Sequence, residues 1–71
     1  GDREGAEAVA KHRPTRVIAF GCDPATFARD LKIMGLGEGY SLARLGLWDA
    51  FPGTHHLEAF AVLDRVKGAQ R

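Results

Sequence analysis

The hydrophobic and polar positions of the chain follow a helical period in two segments. Apolar residues recur at helical spacing over residues 3–12 and again over about 24–34, which predicts two amphipathic helices. The apolar face of the second helix consists of Phe27, Leu31 and Met34. Gly35 is a natural end for that helix, and it opens a glycine-rich loop.

Three short apolar runs, at residues 16–21, 40–48 and 57–63, are typical of β-strands. The first run lacks alternation, which predicts a strand covered on both faces. In the second run the parity of the apolar positions slips near Ala43, so either a β-bulge or two covered faces is expected. The third run is apolar on both parities once it has passed Glu58.

The connections between these segments predict how the strands pair. A helix between the first two strands predicts a right-handed crossover and a parallel pair. The short connection at 49–56 predicts that the third strand runs antiparallel to the second. In that arrangement Cys22, the 49–56 connection and Glu58 meet at one edge of the sheet.

The composition narrows the possible classes of function. The chain has 71 residues, of which 45% are apolar and 27% charged, and its formal net charge is +1. It lacks the strongly basic character of an autonomous nucleic-acid binder. No apolar run reaches the roughly 18 residues of a membrane span, so no membrane partner is expected. The single cysteine excludes an internal disulfide and suits a reducing, cytoplasmic environment.

Cys22 is the first candidate for chemistry because it stands between a predicted strand and a predicted helix. Asp23 is suited to cap that helix, and Pro24 suits its first turn. A thiol at a helix N-terminus lies at the positive end of the helix dipole, where it ionises more easily. Ligands often bind at the carboxyl ends of strands in open α/β sheets. Cys22 is therefore a candidate nucleophile that needs a base from elsewhere in the chain.

Two blocks of sequence resemble the RNA uracil-5-methyltransferases. Residues 20–31 read Phe-Gly-Cys-Asp-Pro-Ala-Thr-Phe-Ala-Arg-Asp-Leu, similar to that family's Ser-Cys-Asn-Pro-Ala-Thr-Leu-Ala-Arg-Asp. Residues 49–58 read Asp-Ala-Phe-Pro-Gly-Thr-His-His-Leu-Glu, similar to its Asp-Met-Phe-Pro-His-Thr-x-His-hydrophobic-Glu. The chain departs from these motifs where the family has serine, asparagine and histidine, at Gly21, Asp23 and Gly53.

The resemblance, which covers about residues 14–65, implies a covalent mechanism. Cys22 matches the catalytic nucleophile, whose thiolate adds to carbon 6 of uracil and makes carbon 5 reactive towards the methyl group. Glu58 matches the general base, which removes the carbon 5 proton so that the cysteine can leave.

Three further residues are candidate substrate-binding residues. His56 lies in the second motif and is expected to order its loop. Phe51 is expected to be either a loop anchor or a base-stacking ring. Arg29 is expected to lie on a solvated helix face with Asp30, to neutralise a phosphate, or to steady Asp23.

The resemblance also implies a cofactor and a substrate. The family uses S-adenosylmethionine and methylates uridine in tRNA or ribosomal RNA, and the target base has to be single-stranded or flipped from its stack. This chain has no glycine-rich loop after a first strand, so we expect the cofactor to be bound mainly by parts of a longer protein.

The expected fold is therefore α/β. It is a three-stranded carboxyl-terminal fragment of a class I, Rossmann-like methyltransferase domain, with two parallel strands plus one antiparallel strand and two helices. The fragment is expected to have its core at 14–65 and a tail at 66–71, and to be inactive alone. Its first strand would lack a parallel neighbour, and an open apolar edge favours self-association.

Other interpretations stay open. Gly21 and Asp23 favour a non-catalytic interaction or structural domain that kept the fold and lost the chemistry. A third interpretation is a small thiol hydrolase, which would need a histidine paired with Cys22. Only His55 or His56 is expected to be near enough. These histidines also suggest a metal, but adjacent histidines point to opposite sides and the zinc spacing is absent, so no metal site is expected.

Overall fold

The computed structural model describes residues 3–49, 53 and 57–67. Its elements, in chain order, are α1 (Arg3–His12), β1 (Arg16–Gly21), α2 (Pro24–Met34), β2 (Tyr40–Asp49) and β3 (Leu57–Arg65). The hydrophobic pattern therefore predicted both helices and all three strands correctly, although β2 and β3 extend slightly further than expected. None of the helices in this described part is long and apolar enough to cross a membrane.

The strands lie in the order β1-β3-β2, and both neighbouring pairs are antiparallel. The expectation of two parallel strands plus one antiparallel strand is therefore wrong. β1 and β2 run in the same direction, but β3 lies between them and pairs with both. The connection through α2 is long enough to skip one strand position, and the chain returns after β2 to fill that position.

The ends of α2 follow from its sequence. The Asp23 backbone is extended, and its side chain accepts a hydrogen bond from the Ala25 N–H, so it caps the first turn. Pro24 occupies that turn, where a missing N–H costs nothing. Gly35 ends the helix at a φ of 115°, and its N–H donates to the carbonyls of Leu31 and Lys32.

The two helices cover one face of the sheet, which we call the covered face. The residues of β1 and β3 that are buried on this face are Val17, Ala19, Ala59, Ala61 and Leu63. Phe27, Leu31 and Met34 pack over them as predicted, each 7–8% exposed. Ala6 of α1 is completely buried. The core therefore lies between α2 and the sheet.

The opposite side, which we call the open face, carries Ile18, Phe20, Trp48 and Phe60. Ile18 is 60% exposed and Phe20 is 68% exposed, so the expectation that β1 is covered on both faces is wrong within this chain. The ring of Phe60 lies between two neighbours, 6.3 Å from the Phe20 ring and 6.0 Å from the Trp48 ring.

The slip of parity in β2 is a β-bulge. The pairing with β3 shifts between Leu42 and Arg44, which leaves Ala43 without a partner. Beyond the bulge, Leu45 and Leu47 pair with Ala61 and Ala59 on the covered face.

Candidate functional site

The strand ends meet at one edge of the sheet, as the sequence predicts, although the pairing that brings them together is antiparallel throughout. Gly21 at the end of β1 pairs with Ala59 near the start of β3. On the other side of β3, Trp48 pairs with Glu58 and Asp49 pairs with Leu57. The ends of β1 and β2 and the beginning of β3 therefore form one edge, which we call the site edge.

The register brings Cys22 and Glu58 next to the same terminal pair of the β1–β3 ladder. Cys22 directly follows Gly21, and Glu58 directly precedes Ala59, so both residues adjoin the last pair of the β1–β3 ladder, which ends there. Cys22 is exposed and Glu58 is half-buried, and the described residues show no hydrogen bond between them.

The two side chains reach the site edge from different faces of the sheet. Ala59 is buried on the covered face, so alternation along β3 directs Glu58 to the open face, beside Trp48. Cys22 instead lines a cavity between α2 and the covered face. A group placed across this edge would meet the thiol from one side and the carboxylate from the other.

The turn that carries Cys22 is held by hydrogen bonds of Asp23. Its Oδ1 accepts from the Ala25 N–H at 3.1 Å, and its Oδ2 accepts from the Thr26 hydroxyl at 3.0 Å. Its carbonyl accepts from the Phe27 N–H at 2.8 Å. The Thr26 hydroxyl, followed by the Thr26 and Ala25 backbone, holds the pKa of the Asp23 carboxyl below its usual value. Asp23 is therefore a carboxylate with both oxygens engaged.

Arg29 pairs with its neighbour rather than with Asp23. Its Nη2 and Nε donate to one oxygen of Asp30, at 2.7 and 3.1 Å. The side chain of Arg29 is 45% exposed, whereas that of Asp30 is 7% exposed. The expectation that both face water is therefore wrong for Asp30, which lies in the core layer of α2. The exposed side of the Arg29 guanidinium remains at the surface, where a phosphate contact stays a prediction.

The cavity next to Cys22 has a volume of about 300 Å³ and an apolar lining. Its walls include Phe27, Ala28, Leu31, Leu45, Leu47 and Leu57. S-adenosylmethionine carries a charged amino-acid end and ribose hydroxyls, which need polar partners when bound. These walls supply no polar side chain except the thiol, so this cavity does not suit that cofactor.

Some predicted site residues cannot be placed. Phe51, His55 and His56 lie outside the described residues. Their predicted roles in substrate binding, in a thiol hydrolase or in a metal site therefore stay predictions. Among the residues that the structure does describe, there is no group of three or more His, Cys, Asp or Glu side chains that could hold a metal ion.

Sequence reasoning missed Thr26, whose hydroxyl engages one oxygen of Asp23. The signal was present, because a residue three positions after a helix N-cap is placed to interact with the cap. The reasoning also missed the close approach of α2 to Gly21, where Phe27 occupies the space of a side chain. No local sequence rule predicts that contact.

No protein-family model matches the chain, but individual relatives do. It is 47% identical over 62 residues to an uncharacterized RNA methyltransferase of Aquifex aeolicus, which covers 87% of this chain and 14% of the relative. It is 42% identical over 73 residues to the 23S rRNA (uracil(1939)-C(5))-methyltransferase RlmD of Photobacterium profundum, covering 97% of this chain and 16% of the relative. A protein of the same name from a Shewanella species is 44% identical over 64 residues, which cover 90% of this chain and 14% of the relative. The chain thus spans 14–16% of the length of these relatives.

Proposed function

Since its homologues over most of its length are named RNA methyltransferases, we propose that this chain is the nucleophile-bearing and base-bearing segment of an RNA uridine C5-methyltransferase. The observation that supports this most directly is the pair Gly21–Ala59, which brings the neighbouring residues Cys22 and Glu58 to the same edge of the sheet. Because the chain spans 14–16% of these relatives, the activity is proposed for a longer protein, and the 71 residues alone are expected to transfer no methyl group.

In the proposed mechanism the Cys22 thiolate attacks carbon 6 of the uracil ring. The electrons of the double bond between carbons 5 and 6 move onto the ring carbonyl as an enolate, so carbon 5 becomes nucleophilic. Once carbon 5 carries the methyl group, Glu58 removes its remaining proton. The electrons of that C–H bond restore the double bond, and the bond between carbon 6 and sulfur breaks. The positions of Cys22 and Glu58 on different faces of one sheet edge suit a flat ring held between them.

The substrate is proposed to be RNA, with ribosomal RNA favoured over tRNA because relatives are named as 23S rRNA methyltransferases. The target base would have to leave its stack to reach the site edge. Arg29 at the surface of α2 is proposed to contact a phosphate, and Phe51 and His56 are proposed to contact the base or order its loop. The methyl donor is proposed to be S-adenosylmethionine, bound by other parts of the longer protein.

Methyl transfer by the full-length protein tests this proposal. Labelled S-adenosylmethionine and RNA are incubated with the unaltered enzyme, with Cys22→Ala and with Glu58→Gln. We expect Cys22→Ala to abolish transfer. We expect Glu58→Gln to accumulate a covalent protein–RNA adduct, visible on a denaturing gel, because the methylated intermediate cannot lose its proton. The double variant Cys22→Ala/Glu58→Gln is the control and should form no adduct.

A second candidate function is a non-catalytic docking domain, which the exposed apolar residues of the open face favour. Ile18 and Phe20 are each at least 60% exposed, and such patches mark interaction surfaces. If the unaltered full-length protein transfers no methyl group to RNA, this second function is favoured. If Cys22→Ala abolishes a measurable transfer, it is excluded.

We also propose that the isolated chain self-associates. β1 and β2 are the two edge strands of the described sheet, so each has backbone groups that another strand could pair with, and the open face of β1 is apolar. Sedimentation at high protein concentration tests this, and a strict monomer would contradict it.

A further inference from the structure

We infer that Phe27 is a positioning residue for Cys22 and acts through its contact with Gly21, an inference that rests on the proposed function. A Cβ atom built on Gly21 would lie 2.6 Å from Cδ1 of Phe27 and 3.1 Å from both its Cβ and its Cγ. Side-chain carbons do not approach one another to 2.6 Å, so a side chain at position 21 requires either the ring or the end of β1 to move.

The ring of Phe27 is the part that resists moving. It is 7% exposed and lies in the core cluster with Leu31. Its backbone N–H donates to the Asp23 carbonyl at 2.8 Å, which fixes the first turn of α2. Because interiors are close-packed, a clash at Gly21 is relieved more easily at the strand end. That strand end carries Cys22.

A shift of the strand end would disturb the site edge directly. The pair Gly21–Ala59 is the last one of the β1–β3 ladder, and the residues next to it are Cys22 and Glu58. Phe27 also shares a wall of the cavity with Cys22. The contact therefore determines both where the thiol stands and how much space lies beside it.

The same contact explains one departure from the motif that the chain resembles. That motif has serine at position 21 and leucine at position 27, whereas this chain has glycine and phenylalanine. The larger ring occupies the space that the missing side chain leaves, so the two differences compensate each other. Gly21 is then explained by its packing against Phe27, and it is not a sign that Cys22 has lost its role as nucleophile.

The first test uses this chain, whose single cysteine makes thiol labelling unambiguous. The rate of Cys22 modification by a small thiol reagent is measured for Gly21→Ser, Phe27→Leu and the double variant. We expect Gly21→Ser to change the rate at least threefold and the double variant to return to within about twofold of the unaltered chain. If Gly21→Ser does not fold, Gly21→Ala, which adds only the clashing Cβ atom, replaces it.

Gly46→Ser provides the matched control. A Cβ atom there would also clash with a ring, 2.0 Å from Cε1 of Phe60, but on the open face. Phe27→Leu should not rescue Gly46→Ser. Additive effects of Gly21→Ser and Phe27→Leu on the labelling rate, or rescue of Gly46→Ser by Phe27→Leu, would overturn the inference.

The second test measures kcat and KM for methyl transfer by the full-length protein. We expect Gly21→Ser to lower kcat about tenfold or more with KM for RNA nearly unchanged, since small misplacements of a reacting group are costly. The double variant should recover to within about threefold. Failure of transfer in the unaltered enzyme would refute the proposed function and leave the labelling result to decide the contact. Normal transfer by Gly21→Ser would overturn the positioning role alone.

Discussion

The two faces of one three-stranded sheet differ in side-chain size and in what covers them. On the covered face, Ala19, Ala59 and Ala61 are buried because small side chains let α2 approach closely. On the open face, Ile18 and Phe20, which lie on either side of Ala19 along β1, stay mostly exposed. An apolar run without alternation is typical of a strand enclosed on both sides, and this chain encloses one side. The covered face therefore explains the fold, and the open face indicates where further contacts form.

Truncation of one large apolar residue on each face should produce the largest difference between the two faces. Leu63 is completely buried on the covered face, so we expect Leu63→Ala to lower the free energy of unfolding by about 2–5 kcal/mol. Ile18→Ala on the open face should lower it by about 0.5 kcal/mol or less. Urea unfolding of the two variants measures this difference. Similar losses for both would show that the open face is covered in solution.

A charge on the open face should act on association instead of folding. We expect Phe20→Lys to weaken self-association at least tenfold, about 1.4 kcal/mol, because it places an ammonium group in the apolar patch. Ala8→Lys adds the same charge on the exposed side of α1 and should leave association unchanged. Sedimentation equilibrium over a range of concentrations compares them. Equal weakening by both variants would indicate a general charge effect.

A hydrogen bond at the end of the covered face should have a smaller effect. Tyr40 is 1% exposed, and its hydroxyl donates to the Pro14 carbonyl. We expect Tyr40→Phe to cost about 1 kcal/mol, because the ring remains and one hydrogen bond is lost. Thermal unfolding measures the change. A loss of unfolding free energy as large as that of Leu63→Ala would mean that the hydroxyl hydrogen bond contributes more to stability here than the packed ring does.

The smallest effect should come from the ion pair at the margin of the open face. Arg16 donates to Asp64 at 2.6 and 3.1 Å, which holds the pKa of that carboxyl below its usual value near 3.8. A carboxyl with a lowered folded-state pKa contributes stability above its unfolded pKa and loses it as the pH falls through the folded value. We therefore expect stability to decline below about pH 4, and less steeply in Asp64→Asn. Both groups are exposed, so solvent screening keeps this effect small. Unfolding free energy measured against pH with and without the substitution tests it, and identical profiles would contradict it.

Local signals in the sequence predicted the elements well. Asp23 and Gly35 mark the two ends of α2, and the parity slip at Ala43 marks the bulge, because caps and bulges depend on a few adjacent residues. The homologues confirm the resemblance to RNA methyltransferases that the two motifs suggested.

Strand order was the part that local reasoning missed. Spacing predicts that β1 and β2 share a direction, but it does not say that they are neighbours. β3 did carry a signal, because Phe60 and Val62 alternate with Ala59, Ala61 and Leu63 and make it apolar on both parities, as expected of a central strand. The approach of Phe27 to Gly21 depends on how α2 packs against the sheet, so no short-range sequence pattern predicts it.

The bulge at Ala43 acts as a phase shift in β2. Before it, Tyr40 and Leu42 belong to the covered face, and after it Leu45 and Leu47 do. In an uninterrupted strand the even-numbered positions would stay beneath the helices, and Trp48 would leave the side of the sheet that Glu58 occupies. If Ala43 instead paired with Val62 in a regular ladder, the occupants of the two faces would exchange along the whole second half of the strand. The unpaired residue Ala43 therefore places Trp48 on the same face of the sheet as Glu58.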